Sequence, residues 1–402
     1  MTRLICSLFL LCWVNVLLAQ KPNVKKAFNH AEKQAEILLA ATEKADKGKS
    51  GDLVSPKTVE EGKLVLTNSS NWVSGFFPGV LWYLYEHTKN GTWLEAAKKH
   101  TAFIEKEKNN TGTHDLGFMI YCSFGNGYRL TQDTLYRDVI IKAAKSLSSR
   151  FHPVTGVIRS WDHSRDKWEY PVIIDNMMNL ELLFAATKLT GDSSFYKIAV
   201  THADNTLKNH FRPDYSSFHV VDYDSRTGAV RNRHTHQGYS HESSWARGQA
   251  WALYGYILCY RETGNKIYLA HAEGIANYVL NNPAIPKDGV PYWDYHDPKI
   301  PDAPKDASAA AITASALYEL NVYTGKNDYY RKAADKIMHS LSKKYTSKKG
   351  TNWGFILDHS TGNKLRNSEV DVPLSYADYY YLEALLRSTQ MKGRRGAITK
   401  VP

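Results

Sequence analysis

The fold of this chain is decided by a short turn, Thr190-Gly-Asp-Ser-Ser-Phe195. With small changes, this turn occurs five times in the sequence. In each copy a helix-like stretch ends at Thr, passes a turn rich in Gly, Asn or Asp, and restarts at an aromatic residue. The other copies are Thr88-Lys-Asn-Gly-Thr-Trp93, Thr131-Gln-Asp-Thr-Leu-Tyr136, Thr263-Gly-Asn-Lys-Ile-Tyr268 and Thr324-Gly-Lys-Asn-Asp-Tyr329. Gly or Asn supplies a left-handed C-terminal cap, and the Asp, Ser or Thr that follows can cap the next helix. Short links of this kind join antiparallel helix pairs.

Apolar periodicity around these turns predicts about a dozen helices, linked alternately by tight turns and by long connections. The predicted helices cover residues 24–46, 76–89, 92–107, 116–130, 134–149, 176–189, 193–209, 244–263, 266–281, 307–323, 327–342 and 374–388. The long connections are rich in Trp, His, Asp, Pro and Gly and cover residues 47–75, 150–175, 210–243, 281–306 and 343–373. Tight turns at one end and variable loops at the other indicate a ring of helical hairpins with one functional face.

Two all-α architectures fit this helix count. One is an (α/α)6 barrel, a toroid of six hairpins, and the other is a helical solenoid used for binding. The spacing of the turns is too long and too irregular for a tetratricopeptide array. The Ala-rich stretch Ala307–Tyr318 favours the barrel, because small side chains let inner helices approach closely, although high helix propensity alone also accounts for it.

Length and composition narrow the class of protein. The chain has 402 residues, of which 43% are hydrophobic and 23% charged, which excludes a disordered, collagen-like or many-pass membrane protein. Residues 1–20 carry one Arg followed by an apolar run from Leu4 to Ala19. That run is short for a bilayer span and ends in a small residue, so it predicts a cleaved signal peptide, with an uncleaved anchor as the alternative. We expect residues 21–402 to form a single catalytic domain with no stable membrane insertion after cleavage.

Charge and cysteine content point to a glycan partner more than to nucleic acid. After removal of the signal only Cys122 and Cys259 remain, each in an apolar helical stretch, and we expect two buried free thiols more than a disulfide. The net charge of +11 comes from basic residues spread along the chain, which predicts a solvated surface or a field that attracts acidic glycans. No zinc-finger, P-loop or dinucleotide motif is present, so no cofactor is predicted.

Two aspartates stand at the loop-side starts of predicted inner helices. Asp115 lies in Thr113-His-Asp-Leu-Gly-Phe118, and Asp175 lies in Pro171-Val-Ile-Ile-Asp-Asn-Met-Met-Asn179. Asp before an apolar run is most often only an N-cap. Apolar neighbours on both sides of Asp175, however, predict a pKa raised by desolvation, which is what a general acid requires near neutral pH. Two such carboxylates would point into the same mouth of a helical ring.

A polar segment and a helix start add further candidates. Arg231-Asn-Arg-His-Thr-His-Gln237 favours an anion-binding loop, and a metal site at its histidines and His241 is not predicted, because the expected irregular loop lacks metal-ligand spacing. Arg247 and Trp251 are four residues apart and share one helical face. A guanidinium beside an indole suits a carboxylated sugar through bidentate pairing and stacking, or is simply an Arg beside a core Trp. Trp72 is either a structural staple or a stacking platform.

Five segments together resemble the unsaturated glucuronyl hydrolases, glycoside hydrolase family 88. They are NWVSGFFPG (71–79), HDLGF (114–118), IIDNMMNLELL (173–183), SFHVVDYD (217–224) and QGYSHESSWARGQAWALYGY (237–256). They occur in the family's order from about residue 68 to about residue 388. The resemblance implies a six-hairpin α/α barrel, in agreement with the helix count.

The resemblance also implies the reaction and the residues that perform it. Members hydrate the enol ether of a 4,5-unsaturated uronic acid that polysaccharide lyases leave at the non-reducing end, and the hemiketal then opens and releases the next sugar. By this resemblance Asp175 is the general acid/base and Asp115 is the second essential carboxylate. No metal or cofactor is implied. The implied substrate-pocket residues are Trp72, His114, Trp161, His219, Arg233, Thr235, Gln237, Arg247, Trp251 and Ser368.

Some features remain open. Ala307 stands where the family usually has a hydroxyl residue, and the loop around His236 and Leu365 varies among relatives that bind sulfate, so no sulfate preference is predicted. An unsaturated rhamnogalacturonyl hydrolase and a non-catalytic glycan-binding helical module are the alternatives. Because unsaturated disaccharides are small acidic products taken up across an outer membrane, we expect a periplasmic location. The sequence predicts no oligomeric state.

Overall fold

The computed structural model describes residues 21–46, 53–325 and 328–390, so the predicted signal peptide lies outside the described residues. The predicted helices are present with small shifts of their ends. They are α1 Val24–Asp46, α2 Phe76–Thr88, α3 Gly91–Ala102, α4 Asn126–Thr131, α5 Thr134–Ser148, α6 Asn176–Thr190, α7 Ser193–Asn209, α8 Ala246–Thr263, α9 Lys266–Asn281, α10 Ala307–Thr324, α11 Tyr329–Ser340 and α12 Ser375–Gln390. A π-helix, Gly117–Gly125, runs directly into α4 where one regular helix was predicted. A second π-helix, Leu341–Tyr345, follows α11.

Six of these elements close into an inner ring. Neighbouring contacts run from α2 to the π-helix before α4, then to α6, α8, α10 and α12, and back to α2. Helices α3, α5, α7, α9 and α11 pack outside their partners, and α1 completes the outer layer against α2 and α12. The predicted (α/α)6 barrel is therefore confirmed, and the binding solenoid, an open array, is not what the chain forms.

Burial explains which helices are inner and which are outer. In α8 and α10 nearly every residue is buried, because each is surrounded by other helices. The outer helices α5 and α11 bury one face only, as expected for helices between a core and solvent. The small side chains along α10 pack in this crowded inner ring, as the Ala-rich sequence predicts.

Four of the five repeated turns share one complete geometry, and the fifth lacks the side-chain cap, because Asp328 makes no capping hydrogen bond at the start of α11. In all five turns the hydroxyl of the Thr donates to the carbonyl four residues earlier, as Thr190 does to Ala186. The next residue is left-handed, and it is Lys89, Gln132, Gly191, Gly264 or Gly325. The outer helix then starts from an Asn or Asp whose side chain accepts from the N–H two residues on, at Asn90, Asp133, Asp192 and Asn265. These caps fix the tight-turn end of the barrel.

The long connections contain short strands that the sequence analysis did not predict. They contain the antiparallel pairs β1 Ser55–Glu60 with β2 Lys63–Thr67, β3 Phe151–His152 with β4 Val157–Ile158, and β8 Ser360–Asn363 with β9 Ser368–Val372. A three-stranded sheet has the order β5 Tyr170–Ile173, β6 Val220–Tyr223, β7 Val230–His234. His234 therefore lies on a strand and not in an irregular loop. These short strands build the walls of the open end.

Two further features follow from the fold. Cys122 and Cys259 are buried free thiols, as predicted. Within the described residues, no helix combines the length and the apolar character needed to cross a bilayer.

Candidate active site

Asp175 lies where strand β5 ends and helix α6 begins. It occupies the N-cap position of α6, but its side chain makes no capping hydrogen bond. The residue is only 8% exposed. Burial is the main reason that the pKa of Asp175 is raised to about 7; Asp115 contributes to the rise, whereas Arg247 and the Trp251 indole act in the opposite direction. The desolvated acid predicted from the apolar flanks is thus present in the fold.

Several polar atoms around this carboxyl have no hydrogen-bond partner among the described residues. They are Asp175 Oδ2, His219 Nε2, Trp251 Nε1, Arg247 Nε and the Tyr376 hydroxyl. His219 Nε2 lies 3.7 Å from Asp175 Oδ2. Burial raises the pKa of Tyr376, and Asp175 is among the charges that act on it. Because buried polar groups are normally paired, a cluster of unpaired ones indicates a place built for a polar ligand.

The tautomer of His219 is set by its backbone contacts. Its Nδ1 accepts the backbone N–H groups of His236 at 3.0 Å and of Gln237 at 3.1 Å. Nδ1 therefore carries no proton, and Nε2 carries it toward Asp175. Burial lowers the pKa of His219 well below its usual value, with His236 and Arg247 adding to the effect. The ring is a neutral hydrogen-bond donor facing the acid.

Asp115 belongs to the same mouth but lies in a more polar setting. Its Oδ2 accepts the Thr113 hydroxyl at 2.7 Å, and its Oδ1 lies 3.2 Å from His114 Nε2. The segment Ile158–Ser160 ties this region to Asp175: the Ser160 carbonyl accepts the His114 N–H, and the Ile158 carbonyl accepts the Asn176 amide. One short connection thus holds both carboxylate-bearing segments together.

Arg247 does not lie free for a sugar carboxylate, which corrects the expected bidentate ion pair. One terminal nitrogen donates to Asp306 Oδ2 at 2.9 Å and to the Thr361 carbonyl, and the other donates to the Gly362 carbonyl at 2.6 Å. Its guanidinium stacks on Trp245 and not on Trp251. Only Nε remains unpaired, so Arg247 clamps the β8–β9 hairpin and contributes its charge beside Asp175.

Arg233 is also placed differently from the expectation. In the sheet, Val221 pairs with Arg233 and Val220 pairs with His234, so these two pairs face opposite sides. Val220 packs on the side that carries Trp161 and Trp168. Arg233 lies on the other side, where its Nε donates to the carbonyl of Asn209 at the end of α7. The structure therefore does not bring Arg233 to the Asp175 cluster.

The residues after β7 shape the loop that holds His219. The Thr235 hydroxyl accepts the Gly238 N–H at 2.7 Å, which fixes the turn. The Gln237 amide donates to the Gly362 carbonyl at 3.2 Å, so it joins this loop to the β8–β9 hairpin. At the tip of that hairpin Arg366 lies 3.3 Å from His236 Nε2. Ser368, half-buried on β9, makes no side-chain hydrogen bond within the described residues.

Aromatic side chains form the rest of the mouth. Trp72 packs against Phe118 and Tyr376, with ring centroids 5.5 and 4.9 Å apart. Trp161 lies parallel to His163 at 5.1 Å and also contacts His236. Both indoles are half-buried. Trp251 is fully buried and presents only its unpaired N–H.

Tyr376 and Arg366 are site residues that the sequence predictions missed. Tyr376 lies in the first turn of α12, at the open end of the barrel, where the segments that carry the two aspartates also begin. A search for polar side chains at the loop-side starts of inner helices would therefore also find Tyr376. Arg366 has no comparable signal, because only the hairpin brings it to His236. Across the part of the chain that the structure describes, no three His, Cys, Asp or Glu side chains are grouped as metal ligands.

Fold and site together define an α/α-barrel enzyme with a buried acid in an aromatic mouth. The family description "Glycosyl Hydrolase Family 88" matches residues 54–398. The chain is 47% identical over 374 residues to an unsaturated glucuronyl hydrolase of Formosa agariphila, covering 92% of each protein. It is also similar to the crystal structure of an unsaturated glucuronyl hydrolase specific for heparin, with TM-score 0.85, 44% identity, and coverage of 90% of this chain and 98% of that one.

A third relative has a ligand. An Asp-to-Asn variant of a Streptococcus agalactiae unsaturated glucuronyl hydrolase, crystallised with dGlcA-GalNAc6S, matches with TM-score 0.77 and 31% identity over 93% of each chain. The protein belongs to glycoside hydrolase family 88, and it is an enzyme of the unsaturated glucuronyl hydrolase type.

Proposed function

We propose that this enzyme hydrolyses lyase-generated oligosaccharides whose non-reducing end is a 4,5-unsaturated uronic acid, with glycosaminoglycan-type disaccharides as substrates. The observation that carries this proposal is the Asp175 carboxyl, which is buried, makes no capping hydrogen bond, has a pKa of about 7 and lies among unpaired polar atoms. The similarity to enzymes named for this substrate class supports it. No observation favours the rhamnogalacturonyl or binding-module alternatives.

In the proposed reaction Asp175 acts first as an acid and then as a base. Its proton goes to C4 of the enol ether, and the carboxylate takes a proton from the water that adds at C5. The C5 hemiketal opens to a ketone, and the hemiacetal left at C1 releases the neighbouring sugar as an alcohol. One water is consumed and Asp175 ends protonated. A pKa of about 7 suits both steps near neutral pH.

The neighbours of Asp175 have distinct roles in this proposal. The His219 Nε2–H and the Trp251 N–H donate to the ionised carboxylate or to the substrate carboxyl beside it. Asp115 and His114 bind the sugar hydroxyls. Trp72 and Trp161 form apolar walls, and the loop of Thr235 and Gln237 positions His219. Arg247 holds the hairpin that closes the site.

The test is a panel of lyase-generated disaccharides followed by the ultraviolet absorbance of their conjugated double bond. We expect rapid loss of absorbance for at least one acidic glycosaminoglycan disaccharide, and none for Asp175→Asn. The matched control is Asp192→Asn, at a tight turn, which keeps the wild-type rate. If pectin-derived substrates alone react, the substrate class is wrong. If wild type reacts with nothing but binds as tightly as Asp175→Asn, the protein is a binding module.

We also propose that residues 1–20 are a signal peptide and that the mature enzyme works in a periplasm. The support is the apolar run from Leu4 to Ala19, which lies outside the described residues. N-terminal sequencing of the enzyme from a periplasmic fraction tests this. A start near Gln20 or Lys21 is expected, and an intact Met1 in the membrane fraction would contradict it.

A further inference from the structure

Arg150 is a buried arginine at the end of the outer helix α5, just before strand β3. Its side chain is only 5% exposed. A guanidinium that is removed from water needs acceptors for its N–H groups, because an unpaired buried charge is costly. The acceptors that Arg150 has found therefore show which parts of the fold it holds in place.

One hydrogen bond of Arg150 reaches the segment that carries Asp115. Arg150 Nη1 donates to the Thr111 carbonyl at 2.6 Å, and Thr111 stands four residues before Asp115. Within the same segment the Asp115 carboxylate accepts the Thr113 hydroxyl at 2.7 Å. The Asp115 carboxylate is thus fixed to a short stretch of chain whose start is bonded to Arg150.

The other hydrogen bonds of Arg150 reach the segment that carries Trp161. Arg150 Nε donates to the Arg159 carbonyl at 2.8 Å, and Nη1 donates to Asp162 Oδ2 at 2.9 Å. The main chain adds to this, because the Arg150 carbonyl accepts the Arg159 N–H at 3.0 Å. Arg159 in turn donates from its own Nε to the Trp161 carbonyl at 3.1 Å. The chain on both sides of Trp161 is therefore bonded to Arg150.

We propose that Arg150 is a positioning residue, which fixes the placement of Asp115 relative to Trp161. The inference rests on the proposed function, in which these two side chains contact the bound sugar. A planar guanidinium presents its N–H groups in fixed directions, so acceptors from two segments are held in one geometry. Within the described residues, no hydrogen bond of Arg150 reaches Asp175 or His219. Arg150 therefore acts on sugar binding and not on proton transfer.

The first test is Arg150→Lys, which keeps the positive charge but not the planar fork. On an unsaturated disaccharide that the wild-type enzyme hydrolyses, KM should rise about tenfold, because the displaced groups contact the sugar. The kcat and its pH dependence should stay close to wild type, since the surroundings of Asp175 are not altered. An unchanged KM in a folded Arg150→Lys variant would overturn the proposal.

The matched control is Arg387→Lys, at a buried arginine far from the mouth. Arg387 also donates to three acceptors: the Ser315 carbonyl at 3.0 Å, the Tyr254 hydroxyl at 2.8 Å and Glu319 Oε2 at 3.0 Å. Helix α12 begins at the mouth, and Arg387 lies in its last turn, about three turns away. Arg387→Lys should lower the Tm and leave KM unchanged. An equal rise of KM in both lysine variants would show a general loosening of the barrel and contradict a positioning role.

A double-mutant cycle with Trp161→Ala shows whether Arg150 acts through the indole. An indole that is absent cannot be misplaced, so Arg150→Lys should raise KM by a smaller factor in the Trp161→Ala background than in the wild type. The same factor in both backgrounds would contradict the proposal.

Asp162→Ala keeps the proposal testable if Arg150→Lys does not fold. The Asp162 side chain is 42% exposed, so its removal should leave the Tm close to that of the wild type. It also removes one of the acceptors of Arg150, and KM should rise about threefold. An unchanged KM in this variant would overturn the proposal. A wild-type enzyme that hydrolyses no unsaturated disaccharide would instead contradict the proposed function, and this inference with it.

Discussion

The aspartates of the tight turns and Asp175 at the open end of the barrel occupy the same helical position for opposite purposes. At the tight-turn end Asp133 and Asp192 each accept a backbone N–H. The hydrogen bonds that Asp192 accepts from Ser194 lower the pKa of Asp192. At the open end Asp175 also occupies an N-cap position but accepts no capping bond, and burial raises its pKa to about 7. The capping bond, and not the end of the barrel, separates the two roles: Asp306 at the open end accepts the N–H groups of Ser308 and Ala309 and is structural, whereas Asp175 is left uncapped.

The largest expected effect comes from removing the acid at the open end. Asp175→Asn should lower kcat on an unsaturated disaccharide by about 10²–10⁴-fold, the usual contribution of a general acid, while the fold is kept. The loss of ultraviolet absorbance measures the rate, and circular dichroism checks the fold. A kcat within threefold of wild type would contradict the assignment of Asp175 as the general acid.

The next effect concerns what holds the mouth in place. Arg247→Met removes the buried positive charge that pairs with Asp306 and donates to the Thr361 and Gly362 carbonyls. Breaking such a buried pair should lower the free energy of unfolding by about 3–5 kcal/mol, measured by urea denaturation. The matched control is Arg137→Met, which removes only an exposed pair with Asp138 and should change little. Equal losses in the two variants would show that Arg247 is not a clamp.

The pH dependence of the rate should follow the raised pKa of Asp175. The carboxyl must carry its proton to donate it, so kcat should fall about tenfold per pH unit above pH 7. A rate that stays constant from pH 7 to pH 9 would contradict this assignment.

The same pKa has a consequence for stability. The pKa of Asp175 in the folded state, about 7, lies above its unfolded value of 3.8. Between these two pH values the unfolded state releases the proton while the folded state keeps it, so the free energy of unfolding decreases as the pH rises from about 4 to about 7. Asp175→Asn has no such loss. Its Tm relative to wild type should therefore rise between pH 4 and pH 7.5 and then level off, as followed by thermal denaturation. A constant Tm difference across this range would be inconsistent with the raised pKa.

The smallest effect belongs to the tight-turn end. Asp133→Ala removes the cap of α5 and should cost about 1 kcal/mol of stability with no change in kcat. Asp133→Asn keeps a capping oxygen and should stay close to wild type in both respects. A large loss of activity in Asp133→Ala would mean that the two ends are not independent.

The helices could be predicted from sequence because their signals are local. The Thr turns, the caps and the apolar periodicity each depend on residues within a few positions, and α7 and α9 have the predicted bounds. The short strands were missed because two-residue pairs such as β3 and β4 have no periodicity to detect. The π-helix, Gly117–Gly125, was also missed, since its residues read as an ordinary apolar helix.

The site could be predicted only where local sequence determines the chemistry. The apolar flanks of Asp175 are enough to indicate a desolvated acid. Arg233 and Arg247 were misjudged because their partners, Asn209 and the carbonyls of the β8–β9 hairpin, are distant in sequence. Strand register turns Arg233 away from the mouth, and no local pattern gives that register.

The clamp anchors the β8–β9 hairpin through its main chain and not through its side chains. Arg247 holds main-chain oxygens of Thr361 and Gly362, and every amino acid supplies a main-chain oxygen. The side chains from Asn363 to Ser368 can therefore diverge without detaching the segment from the barrel. An exchange of this tip would therefore leave both the anchor at Arg247 and the surroundings of Asp175 unchanged.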